Sequence, residues 1–235
     1  MGDFLLKNYE FITLGIEILA AVTGLILYNK YKHTAARYFI IFLIYIVFIS
    51  VVGSYTYFIY NDGFLSFLDG TLIERNYWWF TIFWKIGAIL FFGWYYLKVL
   101  QNKGYVKFIR VSLLFFVIVS ILTILLTLPD FFKKPLPIID IIGGLIILEC
   151  VFFYFLEILQ NDKVLNFYKS LNFYISCVIL IFWLIKTPLV FYEQFFTQAD
   201  WDYIYLRSYI NLVVICFMYL TYTFALIWCE PEKNV

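Results

Sequence analysis

Seven continuous apolar stretches dominate this chain, at residues 11–28, 38–60, 77–97, 111–128, 138–158, 173–192 and 208–229. A helix needs about 20 mostly apolar residues to cross the hydrocarbon of a bilayer. Backbone amides and carbonyls inside lipid must be satisfied within their own segment. Runs of this kind lack the alternation of barrel strands, so helices are what remains. Asn, Asp, Gly, Lys and Pro collect in the gaps. Composition agrees, with 64% hydrophobic, 24% aromatic and 14% charged residues. Soluble domains run to about 45–50% apolar and about 25% charged. The sequence therefore predicts an all-α integral membrane protein, one transmembrane domain over 1–235. That class excludes a large aqueous catalytic domain and a nucleic-acid module. With 17 Lys+Arg against 16 Asp+Glu, no net field draws a polyanion.

Lys and Arg in the short loops orient such a bundle. One side collects Lys30, Lys32, Arg37, Lys98, Lys103, Lys107, Arg110, Lys163, Lys169 and Lys233. The other has Lys7, Arg75, Lys133, Lys134 and Arg207. The first group is expected in the cytoplasm, which makes the chain N-out and C-in. Tyr77, Trp78 and Trp79 open the third span and Trp228 closes the seventh, where interfacial aromatics belong. Residues 1–10 carry Asp3 and Glu10 against Lys7, so no cleaved signal peptide is expected.

WYYLKVLQN at 94–102 resembles FYFLEILQN at 153–161. Extending that offset pairs Phe108 with Phe167, Arg110 with Lys169 and Pro129 with Pro188. A weaker echo pairs Asn29 with Asn102 and Arg37 with Arg110. The pattern is that of three parallel hairpin repeats and a closing helix, the first repeat the weakest; the alternative is convergence of turn residues.

Ionisable residues inside spans are costly, and by default they mark sites. Glu17, Lys85, Glu149 and Lys186 stand inside theirs, all in the outer half or at the midplane. Asn211 joins them from the seventh span. Thr13, Glu17, Ala20, Ala21 and Gly24 share one helical face, and Ser50 and Ser54 add hydroxyls to the second span. Two readings stay open. Two Glu–Lys pairs fix helix register, or the residues line a polar pocket open to the outside for a small zwitterion, an anion or a proton. Asp140 and Glu157, near span ends, are expected to be solvated.

Signatures of hydrolases, zinc proteases and P-loops are missing, as is an Asp-rich prenyl-phosphate motif, so no catalytic residue is assigned. Retinal would need a lysine in the seventh span, and there is none. Cys150, Cys177, Cys216 and Cys229 fall in spans, and the one histidine, His33, lies in a cytoplasmic turn. No disulfide, metal site or cofactor is expected.

The stretch SLNFYISCVILIFWLIKTPLVFY, followed by RSYINLVVICFMYLTYTFALIWCEPEKN, resembles the last two helices of small seven-helix proteins of Bacteroidota. Those proteins often lie beside histidine kinases. The resemblance implies a bacterial inner-membrane protein with a signalling neighbour. The expected function is a membrane sensor or accessory subunit without its own output domain. Its partner would lie in the membrane or at the cytoplasmic turns, and a small-molecule ligand would occupy the polar layer. The alternatives are a small-solute transporter or channel, and a structural subunit of a larger membrane complex.

Overall fold

A computed structural model describes residues 7–60, 63–160, 167–192 and 201–231. Seven of its helices are long and apolar enough to cross a membrane. They are α1 (Tyr9–Ile26), α2 (Ala36–Ile59), α3 (Tyr77–Val99), α4 (Lys103–Leu126), α5 (Pro137–Gln160), α6 (Leu171–Val190) and α7 (Tyr203–Trp228). The largest departure from the expected spans is at α4, which starts at Lys103 rather than at 111. Helix propagates through Lys103, Lys107 and Arg110 because Asn102 caps it, accepting from the Gly104 amide at 2.8 Å.

The helices form a ring in chain order. Each packs on the next, α7 closes back on α1, and α3 also packs directly on α5. Residues on the inner faces bury one another, among them Phe39, Leu43, Ile89, Tyr95, Tyr96, Phe116, Ile147, Ile175 and Tyr222. The outward faces stay apolar. On α4, Val111, Leu114, Phe115, Ile118, Ile121, Leu122 and Leu125 are all exposed, a stripe suited to the apolar interior of a bilayer. Glu17, Ala20, Ala21 and Gly24 are the buried face of α1.

Glycine sets the helix spacing at the centre of α5. A Cβ on Gly143 would stand 2.0 Å from Ile89 Cδ1 of α3. One on Gly144 would stand 2.9 Å from Thr187 Oγ1 of α6. The pair lets α3 and α6 close on opposite flanks of one helix, as small residues do in membrane bundles.

The end of the bundle that carries most of the lysines is tied together by main-chain capping. Tyr31, in the α1–α2 turn, donates its hydroxyl to the Leu226 carbonyl at 2.9 Å and the Cys229 carbonyl at 2.8 Å. Lys30 Nζ reaches the Ile227 carbonyl at 3.0 Å. These are the last carbonyls of α7, which have no partner within their helix. Glu230 then donates its amide to the Lys169 carbonyl at 3.1 Å and accepts from Lys169 Nζ at 3.1 Å. Glu157 is not simply solvated: its carboxylate accepts from the Gln101 amide (2.9 Å) and the Asn102 amide (3.0 Å), fixing the α3–α4 turn from α5.

The prolines that the hairpin repeat would make equivalent are not. Pro129 lies beyond α4, in a separate short helix Leu128–Phe131. Pro188 lies inside the sixth helix. Pro129 satisfies the N-terminal preference of proline, whereas Pro188 removes a donor from a continuing helix. The second Leu-Gln-Asn turn, at Asn161, lies outside the described residues.

Candidate functional site

The third helix is not uniformly α. Tyr77–Trp79 is α-helical, Phe80–Ile86 is π-helical and Gly87–Val99 is α-helical again. A π segment inserts an extra residue per turn, and such segments often occur at functional sites. The change of register loosens the backbone, and α2 compensates. Tyr45 donates its hydroxyl to the Phe83 carbonyl at 2.7 Å. A Cβ on Gly87 would stand 2.8 Å from that hydroxyl, so the glycine makes room for it. Trp79 Nε1 donates to the Ile49 carbonyl at 3.0 Å.

Lys85 sits in this π turn and forms an ion pair with Asp140 of α5. Asp140 was expected to be solvated. It is buried instead, because α5 starts at Pro137 and its first turn packs against α3. An acidic residue there also complements the helix N-terminus. The partner of Lys85 is thus an aspartate, and among the described residues neither Glu17 nor Glu149 has an ion-pair partner.

Lys186 donates to Asn211 Oδ1 at 3.0 Å, joining α6 to α7, and stands 6.0 Å from the Phe182 ring centroid. The helices that carry the two lysines approach each other. Trp84, beside Lys85, lies 6.0 Å from Phe182 between ring centroids. Gly144, one turn from Asp140, faces Thr187. The Thr187 hydroxyl oxygen is buried and has no hydrogen-bond partner among the described residues. Lys85, Asp140, Lys186, Thr187 and Asn211 thus stand on the adjoining helices α3, α5, α6 and α7 and form the candidate polar layer. It offers ammonium donors, a carboxylate, an amide and an unused hydroxyl, a set suited to a small polar solute.

The two glutamates lie apart from that layer. Glu149 accepts from Ser112 of α4 at 2.9 Å and 3.2 Å and is half-buried. Glu17 is 7% exposed, with Ser50 of α2 beside its carboxyl group and Tyr219 of α7 within electrostatic reach. Its Oε2 has no hydrogen-bond partner among the described residues. The five sequence candidates thus divide among four helix contacts: Lys85 between α3 and α5, Lys186 with Asn211 between α6 and α7, Glu149 between α4 and α5, and Glu17 where α1 faces α2 and α7.

A second polar set, nearer the lysine-rich end, escaped the search for charges. Tyr95 of α3 hydrogen-bonds Asn172 of α6, and Tyr96 and Ser176 share a bond of 2.7 Å. All four are buried. Asn172 and Ser176 stand four residues apart in an apolar run, a signal that was available to a search for neutral polar residues. Among the described residues no three His, Cys, Asp or Glu side chains stand close enough to share a metal ion. Comparison with protein-family models, curated proteins and solved structures finds no match to this chain.

Proposed function

We propose that this chain is a non-catalytic membrane sensor or accessory subunit, in a bacterial cytoplasmic membrane with its lysine-rich end inside. The polar layer around Lys186 and Asn211 receives a small solute from the outer side. The signal leaves through a protein partner at the cytoplasmic turns.

One observation carries this reading. Helix α7 holds Asn211 against Lys186 towards one end, while its last carbonyls are held by Lys30 and Tyr31 at the other. A rigid helix anchored in this way transmits a tilt or rotation from the polar layer to the α1–α2 turn. The resemblance of residues from Ser170 onward to proteins found beside histidine kinases supports a signalling partner.

A transporter is the second reading, favoured by the π turn at Phe80–Ile86 and by Pro188 inside the sixth helix. Irregular helices beside polar residues line many transport sites. The test is a small-solute screen on purified protein. The sensor reading expects an amino acid or organic anion that raises the melting temperature of the wild type and not of Asn211→Leu. Liposomes carrying the protein should not accumulate that solute. Uptake that Asn211→Leu abolishes would replace the sensor with the transporter.

A further inference from the structure

Glu17 is 7% exposed, and among the described residues it has no ion-pair partner and one of its carboxyl oxygens has no hydrogen-bond partner. Its own helix surrounds it with Ala20, Ala21 and Gly24. An isolated ionised carboxylate in such a place is far costlier than a neutral group. Either a cation accompanies it or a proton neutralises it. A hard metal cation such as calcium takes six to eight oxygen ligands. The carboxyl group, Ser50 and the hydroxyls of Tyr9 and Tyr219 supply fewer. A proton needs one oxygen, and the neutral acid then donates as well as accepts.

We propose that Glu17 is a proton-binding site at the seam of α1, α2 and α7, holding an exchangeable proton at neutral pH. Access comes from the N-terminal end of α1. Tyr9, Thr13 and Glu17 are spaced by four residues each, so their side chains form a row along one ridge. Thr13 gives its own hydroxyl hydrogen to the Tyr9 carbonyl at 2.9 Å, leaving the oxygen's lone pairs to accept a hydrogen bond from a water. The titratable groups that bear on this row are Glu10 of α1 and Cys216, Tyr219 and Arg207 of α7, while α2 contributes Ser50, which does not titrate. A proton at Glu17 suits a sensor or a transporter alike, so the site stands or falls apart from the function proposed above.

Infrared spectroscopy of the full chain in liposomes tests it. The wild type should show the carbonyl stretch of a protonated carboxylic acid at neutral pH. Glu17→Gln should lose that absorption, and Glu149→Gln should keep it. Where Glu17→Gln does not fold, labelling of the unaltered chain by dicyclohexylcarbodiimide decides, since that reagent attacks protonated carboxyl groups in apolar surroundings. Peptide mapping should then find the adduct on Glu17, with labelling lost in alkaline buffer. Absorption that survives Glu17→Gln, or a Glu17 left unlabelled at every pH, overturns the proposal.

Discussion

Lys85 reaches Asp140 from a π-helical turn, and the two form an ion pair between α3 and α5 with side chains 18% and 10% exposed. Removing one partner of a buried pair leaves a charge uncompensated, at about 3–5 kcal/mol. Lys85→Met and Asp140→Leu should each lower thermal stability in detergent by that order. The double variant should recover most of the loss, giving a large coupling energy. Adding Glu17→Gln to Lys85→Met should recover nothing, because those residues belong to different seams. Additive behaviour of Lys85→Met and Asp140→Leu would show that the pair is not made.

Glycines at close approaches should behave oppositely to exposed ones. A Cβ on Gly93 of α3 would stand within 2.4 Å of Leu113 Cδ2 and 2.9 Å of its Cγ. Gly93→Ala should therefore cost about 1–3 kcal/mol, as overpacking does. Pairing it with Leu113→Ala should relieve part of the clash. A Cβ on Gly15 of α1 meets nothing within 4 Å. Gly15→Ala should stabilise by about 0.5–1 kcal/mol through lower chain entropy. Equal melting temperatures for Gly93→Ala and Gly15→Ala would contradict the packing of α3 on α4.

The Tyr96–Ser176 bond gives an asymmetric pair of variants. Ser176 also donates to the Asn172 carbonyl at 2.8 Å, so Tyr96→Phe leaves the serine satisfied. That change should cost about 1 kcal/mol. Ser176→Ala takes from the fully buried Tyr96 hydroxyl the partner 2.7 Å away, at about 1–3 kcal/mol. Unfolding of the two variants side by side checks the order, and Tyr96→Phe as the worse of the two would refute the assignment.

Tyr31 is expected to govern the end of α7. Its hydroxyl is shared between the Leu226 and Cys229 carbonyls, and the residue is 1% exposed. Burial holds its phenol well above the usual tyrosine range. The sign follows: a raised folded value makes its contribution full below the ordinary value of about 10 and lost only on further alkalinisation. Between pH 6 and 8 the contact should be independent of pH. Tyr31→Phe should cost about 1 kcal/mol and speed amide hydrogen exchange at Cys229 and Glu230. Exchange unchanged by Tyr31→Phe would mean that the turn does not hold the helix.

What the sequence made legible was depth along each helix. Apolar runs define spans, and Glu17, Lys85, Glu149 and Lys186 could be placed by counting residues. Azimuth was legible within a helix, so the face Glu17, Ala20, Ala21 and Gly24 emerged as the buried one. Partners across helices were not, because they depend on which seams the ring closes. Asp140 looked like a span-end residue until α5 packed its first turn on α3. The π turn at Phe80–Ile86 has no composition of its own, yet it rotates everything before it relative to Gly87–Val99. Tyr95 and Tyr96 read as ordinary membrane aromatics, because a hydroxyl's partner is invisible until the facing helix is known.

Orientation is open to direct measurement, and it fixes which side the polar layer faces. Counting loop residues gave ten Lys and Arg at one end, from Lys30 to Lys233, and five at the other. That bias predicts the α1–α2 and α3–α4 turns in the cytoplasm. The native Cys150, Cys177, Cys216 and Cys229 are free thiols, so they should first be replaced by alanine or serine to remove background. Single cysteines then go in at Thr34 and Gln101 on the lysine-rich end, and at Ser66 and Thr71 on the other. A membrane-impermeant maleimide added to intact cells should modify the Ser66 and Thr71 variants and leave the first two untouched until the membrane is opened. Gln101, Ser66 and Thr71 are exposed, so poor access to the thiol does not explain a negative result there. Modification of the Gln101 variant in intact cells would invert the bundle. The layer around Lys186 and Asn211 would then face the cytoplasm, and a ligand would have to be sought among internal solutes instead.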